Sequence, residues 1–153
     1  MTLTELLKPH LILTKADCAS KDELISKLVE LLYAKDNKPP LPLEEVLDRI
    51  KKREVIGGTL LPSGLSVPHA RIIDYEDFVI VMGTPKEPIF QDKVQVRLMA
   101  LMLSSQSGGP YYLPTLALLA KISRDEDFLP RLCGTNNAEE FINTLKERDA
   151  ELA

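Results

Sequence analysis

Apolar residues along the chain fall into two patterns that alternate, short unbroken runs and helical stripes. Leu11-Ile12-Leu13 is a run suited to a strand, and Ser20 with Glu23 three residues on has the spacing of a capping box, which predicts a helix start. Leu24, Leu28, Leu31 and Leu32 then follow the period of one buried helical face, until Asp36-Asn37-Lys38-Pro39-Pro40 predicts a surface loop. Pro42 is placed to open a second helix, whose stripe is Val46, Leu47 and Ile50 and whose end is expected around residues 53–56. Gly57-Gly58-Thr59 and Pro62-Ser63-Gly64 are two turn signals around Leu60-Leu61. Residues 65–68 alternate like a half-buried strand that Pro68 terminates, leaving His69 at a strand end.

Residues 78–82 and 94–103 are rich in β-branched and large apolar side chains, and the second run suits a central strand. Residues 83–92, with two prolines, are expected to be a loop, as is the small-residue stretch 104–110. Helical spacing returns at Leu113, Leu116, Ala117 and Ala120, with Pro114 in the first turn. Two closing helices are predicted, 125–132 ended by Gly134 and 138–148 led by Asn136 and Asn137. Strands alternating with helices make the fold class α/β, and we expect a three-layer α/β/α arrangement around a mixed central sheet.

The chain has 153 residues, enough for one domain spanning 1–153 with its own core and no staple. Its 19 Lys and Arg against 23 Asp and Glu give a net charge of -4, without the basic excess that grips a phosphate backbone, so nucleic acid is not expected as a partner. Cys18 and Cys133 lie far apart in no metal-binding spacing and read as reduced thiols of a cytoplasmic protein. The first residues show no leader pattern, and the longest apolar run, residues 98–103, is far below the roughly 20 residues of a spanning helix, so no membrane insertion is expected.

Only His10 and His69 offer a neutral imidazole lone pair. His10 sits in a polar N-terminal stretch and reads as a solvated surface residue. His69 lies between the proline-ended strand and Arg71, with Arg53 upstream and Gly57, Gly58 and Gly64 nearby. Backbone amides of the glycine loop, with Arg53 or Arg71, would cradle an anion such as phosphate beside the imidazole; otherwise the glycines form a turn of positive φ and His69 is a buried or capping ring. Thr59 and Ser66 either add hydroxyl donors or satisfy local backbone groups. No nucleotide-binding loop, no serine-hydrolase elbow and no His-rich metal motif is present, so no cofactor and no metal are expected. The acidic run Asp125-Glu126-Asp127 reads as a helix start that complements the macrodipole.

Arg53-Glu54-Val55-Ile56-Gly57-Gly58-Thr59 followed by Gly64-Leu65-Ser66-Val67-Pro68-His69-Ala70-Arg71 resembles the type-2 enzyme IIA domains of the bacterial phosphoenolpyruvate-dependent sugar phosphotransferase system, the fructose, mannitol and nitrogen-regulatory family. The likeness extends to the opening strand and lysine-led helix and to the closing helices. It implies that His69 receives a phosphoryl group from phosphohistidine on the carrier HPr and passes it to a IIB domain, with Arg53 as the phosphate-stabilising arginine. It further implies attack through Nε2 while a neighbouring acceptor holds Nδ1–H. Where many relatives carry a second histidine before a leucine, this chain has Tyr112 before Leu113, and the phenol is a candidate hydroxyl donor to the phosphate.

Two uses of that chemistry follow from the resemblance. One is carbohydrate uptake through a IIB component. The other is regulation, in which the phosphorylation state of His69 controls docking to a transporter, kinase or other target. Apolar residues around the histidine, with Leu60, Leu61, Leu65 and Ile72 as candidates, would dock HPr. The histidine is expected in a shallow depression, because a relay that meets two proteins in turn needs an exposed ring.

Overall fold

The computed structural model describes residues 2–34, 38–73, 75, 78–105 and 110–152, with side chains through residue 149. Parts of the loops expected at 36–40 and 104–110 lie outside the described residues. The chain order is α1 (Leu3–Leu6), a 3-10 turn (Pro9–Leu11), β1 (Ile12–Ala16), α2 (Lys21–Tyr33), α3 (Leu43–Gly57), β2 (Leu65–Ser66), β3 (His69–Ile72), β4 (Val79–Pro85), β5 (Ile89–Gln91), β6 (Val94–Val96), β7 (Leu98–Ser105), α4 (Tyr112–Ser123), α5 (Leu129–Cys133) and α6 (Ala138–Leu152).

β7, apolar from Leu98 through Leu103, is central as its composition demands. It runs antiparallel to β4, which in turn pairs in parallel with β1. On its other side β7 pairs in parallel with β2 and then β3, so these two strands form one edge line broken at Val67-Pro68. Alternation along the strands divides the core in two. Val79, Val81, Met99, Leu101 and Leu103 face α2 and α3, whereas Ile80, Met82, Leu98, Ala100 and Met102 face α1, α4, α5 and α6. The mixed sheet is therefore covered on both faces, in the three layers expected. Among the described residues, no helix is long and apolar enough to cross a membrane.

Helix starts follow the capping chemistry. Ser20 Oγ accepts from the Glu23 amide at 3.1 Å, and Glu23 reaches back to the Ala19 amide at 3.3 Å. Asn137 Oδ1 accepts from the Glu140 amide at 2.9 Å while Glu140 accepts from the Asn136 amide at 2.7 Å, which launches α6. Gly64, at φ +98°, closes the turn before β2, and a Cβ there would lie 2.7 Å from the Gln95 carbonyl oxygen.

Four expectations need correction. Leu11 belongs to the 3-10 turn, not to the first strand. Residues 83–92 are mostly strand: β4 continues to Pro85, and β5 and β6 form a hairpin whose two-residue turn has Asp92 and Lys93 at positive φ. The long run 94–103 is cut at Arg97, whose amide turns to the Gly64 carbonyl at 2.8 Å. The acidic run does not start a helix. Asp125 instead accepts from the Asp127 and Phe128 amides at 3.1 Å and pairs with Arg148 at 3.2 Å, and α5 begins only at Leu129.

Leu28 is fully buried in the α2 face of the core. Its replacement, Leu28→Ala, is expected to lower unfolding free energy by about 2–5 kcal/mol, read from the urea midpoint at unchanged slope.

Candidate functional site

Pro68 supplies no amide, so the edge line cannot pair continuously, but its carbonyl still accepts from the Met102 amide at 2.9 Å and keeps β3 in register. Alternation along the strand turns the Gly64 and Pro68 carbonyls to β7 and the Val67 carbonyl to the opposite side, where the chain at Thr59 passes. The Thr59 hydroxyl donates to the Val67 carbonyl over a short distance, and the Val67 amide returns a bond to the Thr59 carbonyl at 3.0 Å. His69 Nδ1 also lies 3.3 Å from the Val67 oxygen. A carbonyl cannot donate, so this neighbour selects the tautomer with the proton on Nδ1 and the lone pair on Nε2.

Two helices from opposite faces of the sheet reach the ring at this edge. From α3, Arg53 Nε stands 3.4 Å from His69 Nε2, in position to donate to its lone pair. From α4, the Tyr112 ring lies 5.0 Å from the imidazole centroid at 44°, with its hydroxyl 3.5 Å from Nδ1. The phenol is thus against Nδ1, not against the Nε2 edge where a phosphate donor was expected. Burial lowers the His69 pKa below its usual value; Val67 and Glu54 pull it up, while Arg53 and Arg71 push it further down. The half-buried ring is therefore held neutral. Burial also raises the Tyr112 pKa, so the phenol keeps its proton.

A cavity of about 530 Å³ opens over Nε2, lined by Arg49, Lys52, Arg53, Ile56, His69, Ala70 and Arg71. Arg49 pairs with Glu45 at 3.0 Å and Lys52 with Asp48 at 2.9 Å. Among the described residues no carboxylate pairs with Arg53 or Arg71, which leaves two cations facing the space beside the nucleophile. Such a pair offers an anion charge-assisted hydrogen bonds.

The structure gathers His69, Arg53, Arg71 and Tyr112 but uses the other candidates differently. Thr59 is spent on the Val67 carbonyl. Ser66 is fully buried, its hydroxyl without a hydrogen-bond partner, and does not reach the cavity surface. Gly57 closes α3 and Gly58 has extended backbone at φ −65°, so neither forms the positive-φ loop expected. Gly58 instead lies close to a carboxylate: a Cβ there would stand 3.1 Å from both Glu54 oxygens, a tight contact. Of the docking candidates, Leu65 and Ile72 are 0% exposed, and Leu60 and Leu61 pack partly against the two cores. The exposed apolar residues are instead Val55, Ile56 and Ile73 near the cavity, with Tyr111 and Leu113 flanking Tyr112. Val55 and Ile56 fall off the stripe of Val46 and Ile50, a signal present in the sequence. His10 is exposed in the 3-10 turn.

In an NMR titration the His69 ring is expected to have its midpoint below 6.5, and Arg53→Gln to raise it. The unfolded ring binds protons more readily than the folded one, so stability is full above 6.5 and falls as pH drops below it. Urea melts of His69→Gln should lose that part of the pH dependence.

Known proteins match the whole of this architecture. The family model described as phosphoenolpyruvate-dependent sugar phosphotransferase system, EIIA 2, matches residues 5–148. A nitrogen regulatory protein from Bradyrhizobium diazoefficiens is 26% identical, with 95% of each chain covered. The crystal structure of nitrogen regulatory protein IIA-Ntr from Neisseria meningitidis shares the fold with a TM-score of 0.80 at 23% identity, over 94% of this chain and 98% of that one. The complex of enzyme IIA Mtl and phosphorylated enzyme IIB Mtl from Escherichia coli shares it with a TM-score of 0.72 at 19% identity, over 93% of this chain and 98% of that one. The chain belongs to the EIIA type-2 family of the phosphoenolpyruvate-dependent sugar phosphotransferase system.

Proposed function

We propose that this protein is a phosphoryl carrier in which His69 Nε2 accepts the phosphoryl group of phosphohistidine on HPr and passes it to a IIB component. The observation that carries the reading is the neutral imidazole whose Nε2 faces the Arg53 guanidinium at 3.4 Å. In acceptance, the Nε2 lone pair forms the new N–P bond while the N–P bond to the donor histidine breaks and its electron pair returns to that ring. Charge on the transferred group spreads over three oxygens, and catalysis consists of alignment and cationic stabilisation. Arg53 and Arg71 supply the cations. Positive character growing on the His69 ring is met at Nδ1–H by the Val67 carbonyl, which the Thr59 hydroxyl orients. Donation to IIB is the same step reversed, with the acceptor nucleophile in the donor's place.

The second reading keeps this chemistry and changes its use: the phosphorylation state of His69 governs docking to a regulatory target. It is favoured by the nitrogen regulatory proteins among the relatives and by Tyr112 where many family members have a second histidine. Packed against Nδ1, the neutral phenol stiffens the ring without adding a cation for the phosphate, and so slows or redirects transfer without abolishing phosphorylation. Val55, Ile56 and Leu113, at 87%, 80% and 71% exposure, form the docking rim under either reading.

Incubation with phosphoenolpyruvate, enzyme I and HPr should add one acid-labile phosphoryl group to the wild type and none to His69→Ala, by intact mass. No gain in the wild type, with HPr itself phosphorylated, would overturn the carrier reading. Arg53→Gln should slow acceptance by roughly 10²-fold, the scale of one lost transition-state donor. Tyr112→His should change the rate of acceptance or donation; unchanged rates for both would refute a role for the phenol.

A further inference from the structure

α3 keeps an apolar stripe only as far as Ile50. Continued by one more turn, the stripe Val46, Ile50 arrives at Glu54, so a carboxylate occupies a position that the helical period assigns to the core. α2 shows the same anomaly at its other end. Lys21 lies on the stripe of Ile25, Leu28 and Leu32, and it is the first residue of the helix, where a cation opposes the macrodipole. The two anomalies meet: Lys21 Nζ is 2.8 Å from Glu54 Oε1, and both side chains are more than nine-tenths buried, at 9% and 7% exposure. The second Glu54 oxygen is buried without a hydrogen-bond partner and is turned towards Gly58.

Burying an ion pair yields little net stability against an apolar pair of the same size, so stability does not account for the arrangement. Position does. In the last turn of α3, Arg53, Val55, Ile56 and Gly57 are all exposed, and Glu54 alone is turned inward. The final four residues, 54–57, include no basic side chain for the free carbonyls, and the helix ends on extended backbone at Gly58. Among the described residues, the ion pair that ties this turn to another helix is Glu54 on Lys21. Arg53, the adjacent residue, has no ion partner among the described residues to hold its guanidinium over His69.

We propose that the buried Lys21–Glu54 ion pair is a positioning device that pins the last turn of α3 and thereby keeps the Arg53 guanidinium on His69 Nε2. Gly58 belongs to the device, because any side chain there would press on the Glu54 carboxylate. Neither charged residue touches the phosphoryl group; they act through Arg53. The consequence for transfer rests on the carrier reading, whereas the placement of Arg53 does not.

The test replaces the pair by apolar residues of similar size, Lys21→Met with Glu54→Leu. The double variant should melt within a few degrees of the wild type. The Arg53 Nε–H resonance is expected to be sharper and slower to exchange in the wild type than in the double variant. Phosphorylation of His69 by phosphorylated HPr should slow tens-fold, towards the roughly 10²-fold that a misplacement of about 1 Å costs. Adding Arg53→Gln to the double variant should then cost much less than it costs the wild type, as expected of residues that act as one unit. Gly58→Ala keeps both charges and should shift the Arg53 resonance the same way, which covers failure of the double variant to fold. A wild-type Arg53 resonance in the folded double variant, or in Gly58→Ala if the double variant does not fold, would overturn the proposal. So would wild-type transfer by the double variant, or full additivity with Arg53→Gln. If the wild type accepts no phosphoryl group, the carrier reading fails and the Arg53 resonance still decides the role of the pair.

Discussion

The Val67 carbonyl is the point on which the geometry of the site turns. A proline at the edge of a sheet denies one ladder donor, and at the edge that loss is tolerable, because the strand has only one neighbour to satisfy. The line of β2 and β3 is held to β7 on both sides of the break, so the interruption does not become a flexible loop. Between the two segments the Val67 carbonyl points away from β7, by the alternation of the strand, and is available to side chains. It takes the Thr59 hydroxyl and faces His69 Nδ1, and so it determines which nitrogen of the ring is nucleophilic. Everything on the Nε2 side, the arginines and the open cavity, is useful only because the lone pair points there.

The protein carries a net charge of -4, yet the cavity beside the histidine is lined by four cations. Two of these are neutralised locally along α3 by acidic residues one turn earlier, and among the described residues the other two have no ion partner. Cationic surroundings and burial both disfavour a protonated ring. The same arrangement therefore keeps the imidazole neutral and presents cations to the space beside it, as the proposed transfer of a phosphoryl group requires. Partial exposure completes the design: a ring buried further would be closed to a protein donor, and one fully in water would titrate like a free histidine.

Much of this was legible in the sequence. The capping residues Ser20 and Asn137, the central apolar strand and the two helical stripes follow from local chemistry and period. His69 and Arg53 were legible from the resemblance of the surrounding motif. The hairpin of β5 and β6 was not, because its turn is Asp92-Lys93 without glycine and prolines sit on its flank. The exposure of two docking candidates was misjudged because apolar character alone does not separate core from surface: Leu65 and Ile72 face the interior of the edge strands, while Val55 and Ile56 lie off the buried stripe of α3 and are exposed. The glycines after α3 were read either as an anion cradle or as a turn of positive φ, and neither reading saw that Gly58 lies close against the carboxylate of Glu54 four residues earlier.

The sequence by itself determined the periods, the caps and the chemical types at the motif, since these depend on residues within a turn or two of each other. The tertiary structure decided which nitrogen of His69 is free, that Tyr112 lies against Nδ1, that Ser66 is out of reach, and that Lys21 meets Glu54. Each of those depends on how elements far apart in sequence pack together: α2 on α3 over one face, α4 over the other, and both faces meeting at the edge that carries His69. That meeting is set by packing over distances of dozens of residues, and no local pattern encodes it.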